Sequence, residues 1–110
     1  MKLPNADQAV VPMAKIVRYL LSFEHRDGHA KAAFFTRFGF TADSWKVLAE
    51  ALLSHARDHD LTKTEDSPYG TRYVIEGFLK TPDGREPDVR SVWFIDSNEQ
   101  VPRFVTAYPL

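Results

Sequence analysis

The sequence has no cysteine, which excludes a disulfide framework and any thiolate-held metal and fits a reducing cytoplasm. It has no apolar run near the roughly 20 residues that span a bilayer, and Met1-Lys2-Leu3-Pro4-Asn5 lacks the hydrophobic segment of a signal peptide. A cytoplasmic protein without membrane attachment is expected. An excess of either charge is missing too. Fourteen Lys and Arg stand against 15 Asp and Glu, for a formal net charge of -1 and a pI near 6.4. That balance argues against a broadly basic nucleic-acid binder and leaves a local cation cluster as the route to phosphate. A Gly-rich phosphate loop, a nucleophile elbow and an HExxH zinc pair are also absent.

What the sequence does have is apolar material for one core: 44% hydrophobic and 13% aromatic residues in a chain of 110. That amount predicts a single domain over residues 1–110.

Pro12 suits a first helical turn, where its missing N–H costs nothing, and Ile16, Tyr19 and Leu20 then recur at helical spacing, predicting a helix from about Pro12 to Ser22. Lys15 lies one turn before Tyr19, so the two side chains are neighbours. Asp27-Gly28 breaks the pattern. A second helix, about His29 to Phe38, carries Ala32 and Phe35 inward and Lys31 and Arg37 outward, and Gly39 is placed as its left-handed C-cap. A third runs through Trp45, Leu48, Leu52 and Leu53 to Arg57, with Thr41 or Asp43 as N-cap. His55 and His59, four apart, have the spacing of a metal pair, but a polar helix end that favours imidazolium explains them better. No metal is expected.

Past Asp60 the period changes to two. Leu61–Glu65 and Thr71–Lys80 read as strands about the turn Asp66–Gly70, with Tyr73, Ile75 and Leu79 opposite Arg72, Val74, Glu76 and Phe78. Thr81–Arg85 is a hairpin signal. Asp88–Ile95 then sets Val89, Ser91, Trp93 and Ile95 against Arg90, Val92 and Phe94. In the last strand, strict alternation puts Phe104, Thr106 and Tyr108 on one face, and Arg103, Val105 and Ala107 on the other. The fold expected is α+β, with three N-terminal helices on one face of a four-stranded antiparallel sheet.

With the apolar faces toward the helices, the opposite face collects Arg72, Glu76, Arg90, Thr106 and Tyr108. A carboxylate between two guanidiniums suits phosphodiester cleavage, Arg stabilising the charged phosphorane and Glu moving a proton. From alternation alone, a plain cross-strand ion-pair array explains it better. Lys15, His25 and Lys31 form a second set, His for proton transfer near neutrality and Lys for phosphate. Scattered surface charge is the alternative.

Residues across the whole chain, Leu3-Pro4-Asn5-Ala6, Val11-Pro12, Ala14-Lys15-Ile16, Tyr19-Leu20-Leu21, Glu24-His25, Gly28, Lys31-Ala32, Phe38-Gly39-Phe40, Pro68-Tyr69-Gly70, Val92-Trp93-Phe94 and Pro102–Tyr108, resemble a bacterial family classed as a domain of unknown function. Its modules look like C-terminal tips of polymorphic toxins and phage head-associated proteins. More distantly they resemble the barnase, colicin and RelE-like group of metal-independent ribonuclease toxins. The sequence departs from the pattern at Met13, where an acidic residue is expected, and at Arg26, where proline is.

That resemblance implies a small endoribonuclease of toxin type, acting on RNA, tRNA included, by 2′-OH attack without a cofactor. On that resemblance Lys15, His25, Thr106 and Tyr108 would be catalytic and Lys31 would bind substrate; Arg90 and Arg72 join as substrate-binding residues on the physical grounds of the sheet face. A small antitoxin or immunity protein would be its partner. The other reading is a non-catalytic protein-binding module of a toxin–antitoxin or phage-associated system using the same sheet face.

Overall fold

A computed structural model describes residues 1–110. The expected α+β architecture is present: helices precede a four-stranded antiparallel sheet of order β1-β2-β3-β4, with β1 Leu61–Ser67, β2 Gly70–Phe78, β3 Asp88–Asp96 and β4 Arg103–Pro109. The first helix, α1, begins as Met13–Lys15 and continues as a π-helical turn, Ile16–Leu20; α2 is His29–Arg37 and α3 is Trp45–Asp58. No helix is long and apolar enough to cross a membrane.

Each helix buries the stripe its spacing dictates. Ile16 and Leu20 of α1, Ala32 and Phe35 of α2, and Leu48, Leu52 and Ala56 of α3 close over Ile75, Val89, Trp93, Phe104 and Ala107 of the sheet. α2 ends as expected at Gly39, whose φ of 103° permits a Schellman cap: Phe40 N–H donates to the Phe35 carbonyl and Gly39 N–H to that of Thr36. Neither Thr41 nor Asp43 is the N-cap of α3. The helix starts one residue later, after Ser44, and the Thr41 hydroxyl accepts the Ser44 N–H at 3.2 Å.

His55 departs from expectation. It is not at a frayed polar end but 2% exposed between α3 and the sheet. Its Nε2–H is shared by the carbonyls of Gly77 and Val89, both at 3.0 Å. The Ser91 hydroxyl donates to Nδ1 at 2.9 Å and accepts the Trp93 indole N–H at 2.9 Å. Every polar atom in this chain of bonds is satisfied by a neutral ring, and neither ring nitrogen is left for a metal. The i,i+4 partner His59 instead bonds the Phe78 carbonyl at 2.8 Å.

Burial, the largest influence, pushes the His55 imidazole below its ordinary value of 6.5, and the nearby carbonyls offset this only in part. As pH falls, the unfolded chain therefore takes up this proton before the folded one does. The contribution is complete above about pH 6.5 and is lost progressively below it. Urea midpoints are expected to decline between about pH 7 and pH 5, and more steeply for wild type than for His55→Gln. Equal slopes would show that His55 is not the group responsible.

The last strand also differs from strict alternation. Val92 pairs with Thr106 and the adjacent Trp93 with Phe104, so Val105 is an extra residue, a β-bulge. The bulge turns Phe104 and Ala107 together into the core, 1% and 0% exposed, and leaves Val105 half-buried at the sheet edge. Val105 is therefore not a core residue, and Phe104 does not share a face with Thr106 and Tyr108.

Candidate functional site

The bulge builds the site. A residue that drops out of the ladder leaves its carbonyl unpaired, and the Lys15 ammonium donates to that Val105 carbonyl at 3.1 Å. One residue on, Thr106 turns to the outer face, where its hydroxyl meets the Tyr19 hydroxyl at 2.9 Å. The helical side of the site thus comes from the face of α1 adjoining the Ile16–Leu20 core stripe. Inside the π-helical turn, that face sends Tyr19 over the β4 edge. Such turns recur at functional positions.

Tyr19 is the residue around which the others gather, a role that its helical spacing with Ile16 and Leu20 does not reveal. The Lys15 and Lys31 ammonium groups lie 5.5 and 5.3 Å from its ring centroid. His25 meets the ring edge-on, with centroids 4.9 Å apart. The one available signal was the Lys15-Tyr19 spacing.

His25 is held by its own loop. The backbone N–H groups of Asp27 and Gly28 both donate to Nδ1, each at 3.0 Å, so the neutral ring carries its proton on Nε2. This makes His25 a hydrogen-bond donor toward the cleft rather than a base. The loop closes because residue 28 is glycine: a Cβ there would collide with the Tyr19 carbonyl and sit 3.3 Å from His25 Cβ. Gly28→Ala is expected to pry the loop from α1 and free the His25 ring. The His25 imidazole resonances should shift toward those of an unstructured histidine while the Trp93 indole signal stays in place; unchanged His25 signals would contradict this packing.

Lys31 points along the sheet edge rather than outward. Its ammonium donates to the Asp27 carbonyl at 3.2 Å and lies 6.0 Å from the Tyr108 ring. Tyr108 pairs across the ladder with Arg90, and Arg90 with Glu76, making a row on the outer face. Arg90 Nε donates to Glu76 at 2.6 Å, with a second contact from Nη2 to the same carboxylate oxygen, and Nη1 reaches the Tyr108 hydroxyl at 3.4 Å. The Tyr108 and Glu76 hydrogen bonds together raise the Arg90 guanidinium above its ordinary value, which keeps it charged.

Lys15, His25, Lys31, Thr106, Tyr108 and Arg90 therefore converge, all half-buried. Arg72 does not join them. It sits on the same outer face two strands from β4, paired with Glu65 at 2.7 Å. The expected carboxylate between two guanidiniums is likewise not formed, because Glu76 binds Arg90 while Arg72 has its own partner.

Two cavities flank this arrangement. The larger, about 650 Å³, is lined by Pro12, Lys15, Arg18, Tyr19, His25 and Thr106 among others and has no carboxylate in its wall. Lys15, Arg18 and Lys31 form no ion pair. In a chain with net charge -1, unneutralised cations collected at one cleft make a local site for an anion. Met13, 54% exposed, lies in sequence between the lining residues Pro12 and Ala14 and adds apolar surface at the margin.

No functionally curated protein matches this sequence. Among solved structures, the chain is similar to one in a contact-dependent growth inhibition toxin–immunity protein complex from Klebsiella pneumoniae 342. The TM-score is 0.72 over 92% of this chain and 99% of that one, at 22% identity, a likeness of fold. A family model, Domain of unknown function (DUF6883), matches residues 2–110, and the chain belongs to that family.

Proposed function

We propose that the protein is the toxin module of a bacterial growth-inhibition system and that its cleft cuts RNA by internal attack of a ribose 2′-OH. The observation that carries this reading is the carboxylate-free cavity into which Lys15, Arg18 and His25 converge beside the Tyr19–Thr106 hydroxyl pair.

In the proposed step the 2′-oxygen bonds to phosphorus as the P–O5′ bond breaks, giving a 2′,3′-cyclic phosphate and a 5′-hydroxyl. Lys15 suits the proton transfer better than His25, whose Nδ1 lone pair is occupied and whose neutral ring carries its proton on Nε2. The 2′-OH proton passes to a nonbridging phosphoryl oxygen as the 2′-oxygen attacks, the Lys15 ammonium gives a proton to the departing O5′, and the amine left behind takes up the phosphoryl proton, so that protons balance. His25 Nε2–H and the Lys31 and Arg90 cations stabilise the charge that builds on the phosphorane oxygens. Thr106, held by Tyr19, and Tyr108, held by Arg90, fix the phosphate against these donors.

Tyr19→Phe keeps the ring between the two lysines and deletes only its hydroxyl. It is expected to slow cleavage roughly tenfold, about the net worth of one positioning hydrogen bond, with unchanged thermal stability; an unaltered rate would remove Tyr19 from the site.

The partner on this reading is a small immunity protein covering the cationic cleft, with Met13 as an apolar contact at its margin. The fold neighbour's presence in a toxin–immunity complex supports that choice. Induced expression in bacteria tests the proposal: growth should stop with wild type and continue with Lys15→Ala. Normal growth with both, at equal protein levels, would favour the non-catalytic binding module.

A further inference from the structure

The second cavity, about 340 Å³, lies on the same outer face and is lined by Lys63, Arg72, Glu76, Arg90 and Tyr108, with Thr62 and Val74 completing it. Its chemistry differs from that of the cleft. Where the cleft wall holds cations and no carboxylate, this wall alternates donors with an acceptor. Both Arg90 contacts to Glu76 end on Oε2, so Oε1 accepts no hydrogen bond. Arg72 spends Nη1 on Glu65 and makes no other hydrogen bond.

A wall of cations suits phosphate; an edge offering both a free acceptor and free N–H donors suits a nucleobase, whose rim alternates the same way. The volume is at the lower end for small-molecule sites, which run from roughly 300 Å³, enough for one base. The position fits as well. Tyr108 forms part of this wall and lies next but one in β4 to Thr106, which lines the cleft. Adjacent strands are about 4.8 Å apart, so the β2 wall at Arg72 and Glu76 stands roughly 10 Å from β4, a reach that a single-stranded nucleotide neighbouring the cleft can bridge.

We propose that this cavity is a base-reading subsite, in which Glu76 Oε1 accepts an N–H of the base and Arg72, at the other end of the cavity, donates to an acceptor on a different edge of it. It rests on the ribonuclease reading of the cleft and adds sequence preference to it. The base read is that of a nucleotide flanking the cut, which requires the RNA to be unpaired there.

The test is to sequence the ends made by wild type, Glu76→Gln and Arg72→Met from an RNA pool of randomised single-stranded sequence. Wild type should enrich one base at one position beside the cut, and each variant should reduce that enrichment by roughly tenfold, the lower part of what one bidentate base contact discriminates, while cutting continues. Cuts without any base preference, or a preference unchanged in both variants, would overturn the subsite. If wild type cuts no RNA, the cleft reading fails separately. Fluorescence anisotropy with the four DNA homopolymer oligonucleotides, which lack the 2′-OH, then decides the subsite. Preference for one homopolymer that Glu76→Gln erases would support it, and equal binding of all four would overturn it.

Discussion

Lys15→Met is expected to lower RNA cleavage by about 100- to 10,000-fold, the range a positioned acid–base group supplies, while leaving the fold and its thermal midpoint nearly unchanged. The methylene stem still covers Tyr19, and the lost ammonium bond goes to a half-buried edge carbonyl, Val105, which solvent can reach. Steady-state kinetics on a defined oligonucleotide separates this from a binding defect. The loss should appear in kcat, whereas replacing Lys31, assigned to charge stabilisation and phosphate, should raise KM as well. A Lys15→Met protein as active as wild type would remove the only group placed to move the proton.

The largest expected effect on stability is at His55→Ala. This change leaves the Ser91 hydroxyl without its acceptor, two carbonyls without their donor and a cavity between α3 and the sheet. A cost of about 3 kcal/mol is expected from losing a satisfied buried network of this kind, which lowers the melting midpoint on the order of 12 °C for a chain of this size. Calorimetry checks it. A shift of a degree or two would mean that water replaces the imidazole without loss.

The elements were legible because their periods are unambiguous. Tyr73, Ile75 and Leu79 against Arg72, Val74 and Glu76 could only be a two-sided strand, and Ile16 with Leu20 could only be a buried helical stripe. The Val105 bulge was not legible, because a bulge is defined by the partner strand: nothing in Arg103–Tyr108 alone says that Trp93 skips a residue to meet Phe104. That skip reverses the side on which Phe104 and Val105 lie. His55 was misread for a similar reason. Whether a histidine at a helix end faces water or Ser91 depends on where the sheet packs, a long-range matter.

For the site, alternation grouped Arg72 and Arg90 with Tyr108 on the outer face, and all three line one cavity there, but it did not reveal that Glu65 on the neighbouring strand β1 pairs with Arg72. The grouping of Lys15, His25 and Lys31 with Thr106 joins residues up to 91 positions apart in a 110-residue chain. No local pattern carries that information, and it came from the family resemblance. Tyr19, which physically joins them, looks in sequence like any helix-edge tyrosine, because a hydroxyl bond across 87 positions leaves no trace in spacing.

The most direct measurement is incubation of the purified protein with total bacterial RNA in EDTA, followed by analysis of the new ends. Wild type should produce fragments with 2′,3′-cyclic phosphate and 5′-hydroxyl ends, and Lys15→Met should not. RNA left intact by wild type at protein excess, or cut equally by both proteins, would contradict the assignment of the Lys15–Tyr19–Thr106 cleft as a metal-independent ribonuclease site.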